Sequence, residues 1–259
     1  MAEIRDRRAR RHAVVGGWLA AWPLALLGCA SAPSGTGAQS PGPARVDVSS
    51  SERPEQMRLA MVESLMAERR YFAALAHLDA LGSELGSTPY SLWLRAECLR
   101  RTEQPAAAAA LLESLLDTEQ AGDAYRGLGL IAARAGRLDV ALDHLLRARE
   151  LRPTDGRIRN DLGYVLLLAG RVEASRIELS TALELETPAA VANLLLLLYA
   201  TEDEGEAGRL IEEHGVEESS TRTIRAEARD IVSRWSRAES AQRENAEGEA
   251  RAQLPRRRP

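Results

Sequence analysis

Residues 124–155 read AYRGLGLIAARAGRLDVALDHLLRARELRPTD, and residues 159–188 read RNDLGYVLLLAGRVEASRIELSTALELETP. The second stretch repeats the punctuation of the first. Leu162 and Gly163 follow Leu128 and Gly129 by 34 positions, Gly170 follows Gly136 by 34, and Leu179 and Ala182 follow Leu145 and Ala148 by 34. A constant period of this size decides the fold before any single element is assigned, because each unit is one supersecondary motif that must stack on its neighbours to bury a face.

Tyr125, Leu128, Gly129, Ala132, Gly136, Ala141, Leu145, Ala148 and Pro153 stand at spacings that resemble the tetratricopeptide repeat (TPR). The resemblance implies two antiparallel helices per unit. Gly129 and Gly163 in the first helix would let the second approach where a Cβ would intrude, with Ala141 at the same crossing. Gly136 and Gly170 suit the turn between helices. Pro153 stops one second helix and Pro188 the next.

Weaker copies extend both ways. Upstream, Ala96, Leu99, Ala108, Leu112 and Leu115 precede their counterparts by 33, with Pro105 where a second helix can begin. Val62, Leu65, Ala74, Leu78 and Leu81 lie 34 earlier again, and Leu194, Leu198, Ala207 and Ile211 continue the pattern downstream. Composition agrees: Leu, Ala, Arg and Glu dominate, Phe72 is the only phenylalanine, and runs of β-branched residues are absent. The expected fold is all-α, a TPR α-solenoid of about five helix-turn-helix repeats over residues 55–218. A capping helix over 219–240 should close it, with Ile224, Ala228, Ile231, Val232 and Trp235 on one stripe. Residues 241–259 lack such a stripe and read as a disordered tail.

The amino-terminal end carries a different message. Five arginines between Arg5 and Arg11 precede an apolar run, Ala13 to Leu27, interrupted by Pro23. A permanent span needs about 20 apolar residues, so residues 1–28 read as a cleaved signal peptide. Leu26, Leu27, Gly28 and Cys29 resemble the lipobox of bacterial lipoproteins, with Leu27 departing mildly from it. The resemblance implies palmitate-type lipidation of Cys29, which would become the mature first residue and the membrane attachment. Several acyl chains make a stable anchor where one does not. The alternative is a plain signal peptide with an incidental cysteine. Ala30 after the cysteine, rather than aspartate, implies an outer-membrane, periplasm-facing location. Residues 29–54, rich in Ser, Gly, Pro and Ala, read as a disordered tether of roughly 25–30 Å reach.

Little points to chemistry. The chain has 34 basic residues, all arginine, against 38 acidic ones, a net charge of −4. Removal of residues 1–28 takes five arginines and two acids with it, leaving 29 against 36 and a net −7. That balance argues against nucleic acid as a partner. The all-arginine usage reads as genome composition rather than function. His77 and His144 fall two repeats apart, about 20 Å if helices pack 8–10 Å from each other, so they cannot share an ion. Cys98 sits inside a first helix as a small hydrophobe. No nucleophile motif, phosphate loop or dinucleotide loop is present, and no metal, cofactor, small-molecule substrate or enzymatic activity is expected.

What remains is surface. In the repeat geometry the exposed positions of first helices line a groove, which here offers Tyr90, Trp93, Arg100, Arg101, Arg126, Arg134, Asn160, Tyr164 and Tyr199. Aromatic and arginine side chains are the types that anchor interfaces. Each could instead pack between repeats. The acidic TEDEGE (201–206) and the terminal RRR (256–258) read as solvated turn and tail. The phrase NDLGYVLLLAGRVEAS (160–175), followed by VANLLLLL (191–198), resembles tight-adherence (Flp) pilus assembly proteins of the TadD type. That resemblance implies a non-catalytic outer-membrane lipoprotein scaffold whose protein partners include the pilus secretin. The alternative is a regulator of a periplasmic cell-wall enzyme or protease, bound by the same solenoid.

Overall fold

A computed structural model describes residues 52–252, with side chains from 55 to 245. The signal peptide, Cys29, nearly all of the tether and Arg256–Arg258 lie outside the described residues.

Eleven helices and no strand occur among the described residues: α1 (Glu52–Ala67), α2 (Tyr71–Leu85), α3 (Pro89–Arg101), α4 (Pro105–Glu113), α5 (Ala121–Arg134), α6 (Leu138–Leu151), α7 (Gly156–Leu168), α8 (Val172–Glu184), α9 (Ala190–Ala200), α10 (Glu204–His214) and α11 (Glu218–Ala252). The first ten form five consecutive pairs, as the period predicts. Each first helix also touches the first helix of the next pair, whereas successive second helices make no comparable contact. Odd-numbered helices α1 to α9 therefore form the tighter, inner layer, and their free side is the concave face.

The glycines do what the spacing asks. A Cβ on Gly129 would lie 2.7 Å from Leu145 Cγ and 3.2 Å from the Ala141 carbonyl oxygen. On Gly163 it would lie 2.6 Å from Leu179 Cγ and 3.2 Å from the Leu179 backbone nitrogen. Where the first strong repeat has Ala141, the second has Ser175, fully buried, whose hydroxyl donates to the Gly163 carbonyl at 2.7 Å. In the turns, Gly136 and Gly170 adopt φ of 74° and 72°. The degenerate repeats keep that left-handed conformation without glycine, at Arg69, Glu103 and Glu202, with φ of 60° to 61°. Non-glycine residues there are strained, and the loss of glycine is part of what made these copies faint in the sequence.

Caps mark several helix starts. Thr88 and Ser91 form a reciprocal capping box on α3, Asp155 accepts from the Arg157 amide at 2.9 Å on α7, and Asp203 from the Glu206 amide at 3.1 Å on α10. The core is mainly leucine and alanine: Leu112, Leu145, Leu162, Leu179, Leu195, Leu197 and Leu198 are fully buried, each worth roughly 1.5–3 kcal/mol of transfer free energy.

Two boundaries differ from the sequence expectation. Helix α1 begins at Glu52, three residues inside the expected tether, with Pro54 in its first turn, where proline is tolerated. Helix α11 runs to Ala252, twelve residues past the expected end of the cap, so residues 241–252 are helical rather than tail. No apolar stripe is required for this extension. Ala, Glu, Arg and Gln propagate an already nucleated helix, helped by Glu239 and Arg243 one turn apart at 3.8 Å.

Candidate binding surface on the concave face

The expected groove residues do lie on inner helices, but they divide into three groups. Tyr90 and Trp93 on α3 pair with ring centroids 5.4 Å apart, and the Tyr90 hydroxyl donates to Glu63 at 2.6 Å. Burial, with the adjacent Glu63 carboxylate, pushes the Tyr90 hydroxyl up to about 12, so it stays protonated. Trp93 is half-buried and packs on the cores of both the first and second repeats. Arg101 is exposed and ion-paired with no described residue. These three form the open part of the face.

The second group is tied up by ion pairs and hydrogen bonds within and between repeats. Arg126 Nε bonds Asp161 at 2.6 Å with both side chains largely buried, and Arg100 grips Glu97 through Nε and Nη2 at 3.0 and 2.7 Å. Burial pushes Asp161 up against the pull of Arg126. Burial also acts upward on Glu97, but the hydrogen bonds and charge of Arg100 outweigh it and hold that carboxyl below its ordinary range. Asn160, buried, accepts from Asn193 Nδ2 at 2.9 Å. Arg134 pairs with Glu103 at 2.7 Å but remains exposed.

The third group is covered. Helix α11 lies across the inner layer, packed on α9. Arg225 sits over the Tyr199 ring at 4.6 Å and bonds Glu204 at 2.7 Å, which with the Arg176–Glu206 pair at 2.8 Å ties down both sides of the acidic turn. The Tyr164 hydroxyl donates to Glu227 at 3.1 Å, and the Trp235 indole donates to the Leu167 carbonyl at 3.1 Å. Ala228 and Ile231 are buried between these points, while Val232, expected on the stripe, is exposed. Tyr164 and Tyr199 are thus under the cap. The Tyr199 hydroxyl is buried there without a hydrogen-bond partner among the described residues.

A cleft of about 460 Å³ opens between the second and third repeats. Its floor is Pro105, Ala106 and Ala109 of α4 with Leu130 and Ile131 of α5, and its rim carries Arg100, Arg134, Arg137 and Glu103. Sequence reading placed Arg100 and Arg134 in the groove but missed the cleft. It also missed Asp161 and Glu97, and it placed Trp235 on the capping stripe without its docking on Leu167. The signal for the charged partners was available: Arg126–Asp161, Asp123–Arg157 and Arg149–Glu178 are opposite charges separated by about one repeat.

No group of three or more His, Cys, Asp or Glu is placed to hold a metal among the described residues. His77 and His214 are exposed, and His144 is half-buried beside Tyr125 at 6.0 Å. Burial, together with the charge of Glu97, raises the Cys98 thiol to about 11, which makes it unreactive. No described helix is long and apolar enough to cross a membrane.

Comparison with known proteins places these features in context. The tetratricopeptide repeat family matches residues 94–156 and 126–190. The chain is 39% identical to the TPR repeat-containing protein PA4299 of Pseudomonas aeruginosa over 177 residues, 68% of this chain and 71% of that protein. Among solved structures, a thermophilic TPR protein of Thermus thermophilus superimposes with a TM-score of 0.57 at 24% identity, covering 67% of this chain and 98% of the other. Pseudomonas aeruginosa pilF gives 0.55 at 16% identity, covering 71% and 89%.

Proposed function

The chain belongs to the tetratricopeptide-repeat family, whose members are protein-binding, typically non-catalytic scaffolds, and we propose that it serves as a periplasm-facing outer-membrane lipoprotein in assembly or localisation of a Flp-type pilus machine. Partner binding is carried by one observation: α11 covers the inner face over repeats four and five, whereas Tyr90, Trp93 and Arg101 stay uncovered on repeat two. Support for the envelope role is the lipobox-like Leu26 to Cys29 and the tight-adherence wording of residues 160–175. In this reading the lipid on Cys29 fixes the chain to the membrane and the tether supplies reach. A partner segment then gains affinity through effective concentration, so the groove need not bind tightly alone.

Arg126 and Tyr164 are satisfied internally, so the informative substitutions are Tyr90→Ala with Arg101→Glu. Capture of the pilus secretin by the full-length protein should fall at least tenfold in that double variant, with an unchanged helical circular dichroism spectrum. Undiminished capture would sink the groove. Labelling by radioactive palmitate should vanish in Cys29→Ser, and equal labelling of both proteins would remove the anchor.

A further inference from the structure

Two rim positions of the cleft between repeats two and three have occupied counterparts in the same molecule. Leu167 and Gly170, which hold Trp235, lie 67 positions after Arg100 and Glu103 of the cleft rim. The register is structural as well as numerical. Glu103 and Gly170 are the left-handed turn residues of their repeats, with φ of 61° and 72°, and Arg100 and Leu167 each stand three positions before them. At the filled site the indole donates to the Leu167 carbonyl, its ring lies 3.7 Å from where a Gly170 Cβ would stand, and it joins the adjoining core. The chain thus displays how such a site is occupied: by one large aromatic side chain projecting from a helix laid across the inner layer.

At the open site, Ala106, Ala109, Leu130 and Ile131 present an apolar floor. Among the described residues α11 packs on α9 rather than on α3, α4 or α5, and its side chains from 236 to 245 are exposed. The rim differs from the filled site in charge. Arg100 is held by Glu97 and Arg134, though exposed, by Glu103, while Arg137 is exposed and ion-paired with no described residue, so the rim carries one guanidinium in excess. Desolvated carboxylates would find guanidinium donors here, and cations would be repelled.

We infer that this cleft binds an amphipathic helix of a partner protein, with a tryptophan-sized side chain entering the cleft and flanking Asp or Glu residues meeting Arg134 and Arg137. The inference rests on the reading of the chain as a partner-binding scaffold and names the chemistry of what it binds. The aromatic anchor supplies buried area at low entropic cost, and the arginine rim selects acidic over basic helices.

The test uses the full chain and three fluorescein-labelled, 16-residue, alanine-based helical peptides followed by anisotropy. One carries a central Trp flanked by Glu at three and four positions either side, one has the Trp replaced by Ala, and one has Arg in place of Glu. The Glu/Trp peptide should bind at least tenfold more tightly than the other two. Its affinity should fall tenfold or more in Arg134→Glu/Arg137→Glu, whose exposed side chains are dispensable for folding, and in Ala109→Trp, which fills the floor. The Arg/Trp peptide should bind the double variant better than the parent. Equal affinity of the three peptides, or unchanged affinity in the double variant, overturns the proposal. So does a full-length dimer in sedimentation that Trp235→Ala or Arg134→Glu/Arg137→Glu dissolves, since the occupant would then be a second copy. Loss of secretin capture in Tyr90→Ala/Arg101→Glu with the cleft variants inert leaves the scaffold reading standing and removes only the cleft.

Discussion

Arg69 holds φ at 60° in the first turn, the conformation that Gly136 and Gly170 adopt at no steric cost. Arg69→Gly should therefore stabilise the protein by about 0.5–1 kcal/mol, the relief of a left-handed backbone less the entropy glycine loses on folding. A higher urea midpoint at unchanged slope is the expected reading. Gly163→Ala acts oppositely. Its methyl would meet Leu179 Cγ at 2.6 Å and backbone at 3.2 Å, so a loss of about 1–3 kcal/mol is expected in the same titration. His144 sets a pH response. Burial lowers its pKa below the ordinary 6.5, helped by the charge of Arg137 and opposed by Asp143 and Glu113. The folded state then binds fewer protons than the unfolded chain, so its contribution is present above pH 6.5 and is lost as pH falls through the depressed value. Between pH 7.5 and 5 the parent should lose more stability than His144→Gln, measured by urea unfolding at both pH values. At this scale the strong repeats were legible because Gly129, Gly163 and Pro153 have unique steric jobs. Arg126 and Asp161 showed only as opposite charges 35 positions apart, and the burial of the pair was not legible, because exposure is settled by the neighbouring repeat.

Helix α11 shows where element-scale reading runs out. Its stripe of Ile224, Ala228, Ile231 and Trp235 announced a helix with one apolar face, and that face is packed. Periodicity identifies a face but not its destination, so the covering of Tyr164 and Tyr199 was hidden. The distal end was misjudged for a second reason: residues 241–252 hold helix by propensity, and the described side chains there, 241–245, are exposed. These two causes separate experimentally. Trp235→Ala should weaken the docking of α11 by about 2 kcal/mol, given a half-buried aromatic and its lost hydrogen bond. Amide exchange over 221–235 and on α9 should quicken accordingly, while 236–252 exchanges fast in both proteins.

Among the described residues the repeats form a row of units, each in contact with its neighbours, apart from the return of α11 onto α7 and α9. Stability in such a row is a sum of unit and interface contributions. Leu112 belongs to one interface: it is fully buried in a cluster with Ala96, Ala124 and Leu128, and a Gly127 Cβ would lie 2.7 Å from its Cδ1. Leu112→Ala should cost about 2–5 kcal/mol and uncouple repeats one and two from the rest. Fluorescence of Trp93 and Trp235 should then report separate urea transitions where the parent gives one. Length, number of units and their order were all readable from the 34-residue period. Which units present an open inner face was not, because that depends on a helix returning from outside the period.

The inter-repeat ion pairs share one chemical property. Every cation in them is a guanidinium, and the entire sequence contains no lysine. Lysine networks begin to discharge near pH 10.4, whereas arginine stays charged beyond about 12. With Tyr90 titrating at about 12 and Cys98 at about 11, the lattice that ties α3, α5 and α7 together keeps its charges at pH 10. It also offers no side-chain amine to acylating crosslinkers or dyes, so mapping a bound partner by proximity has to proceed through its carboxylates.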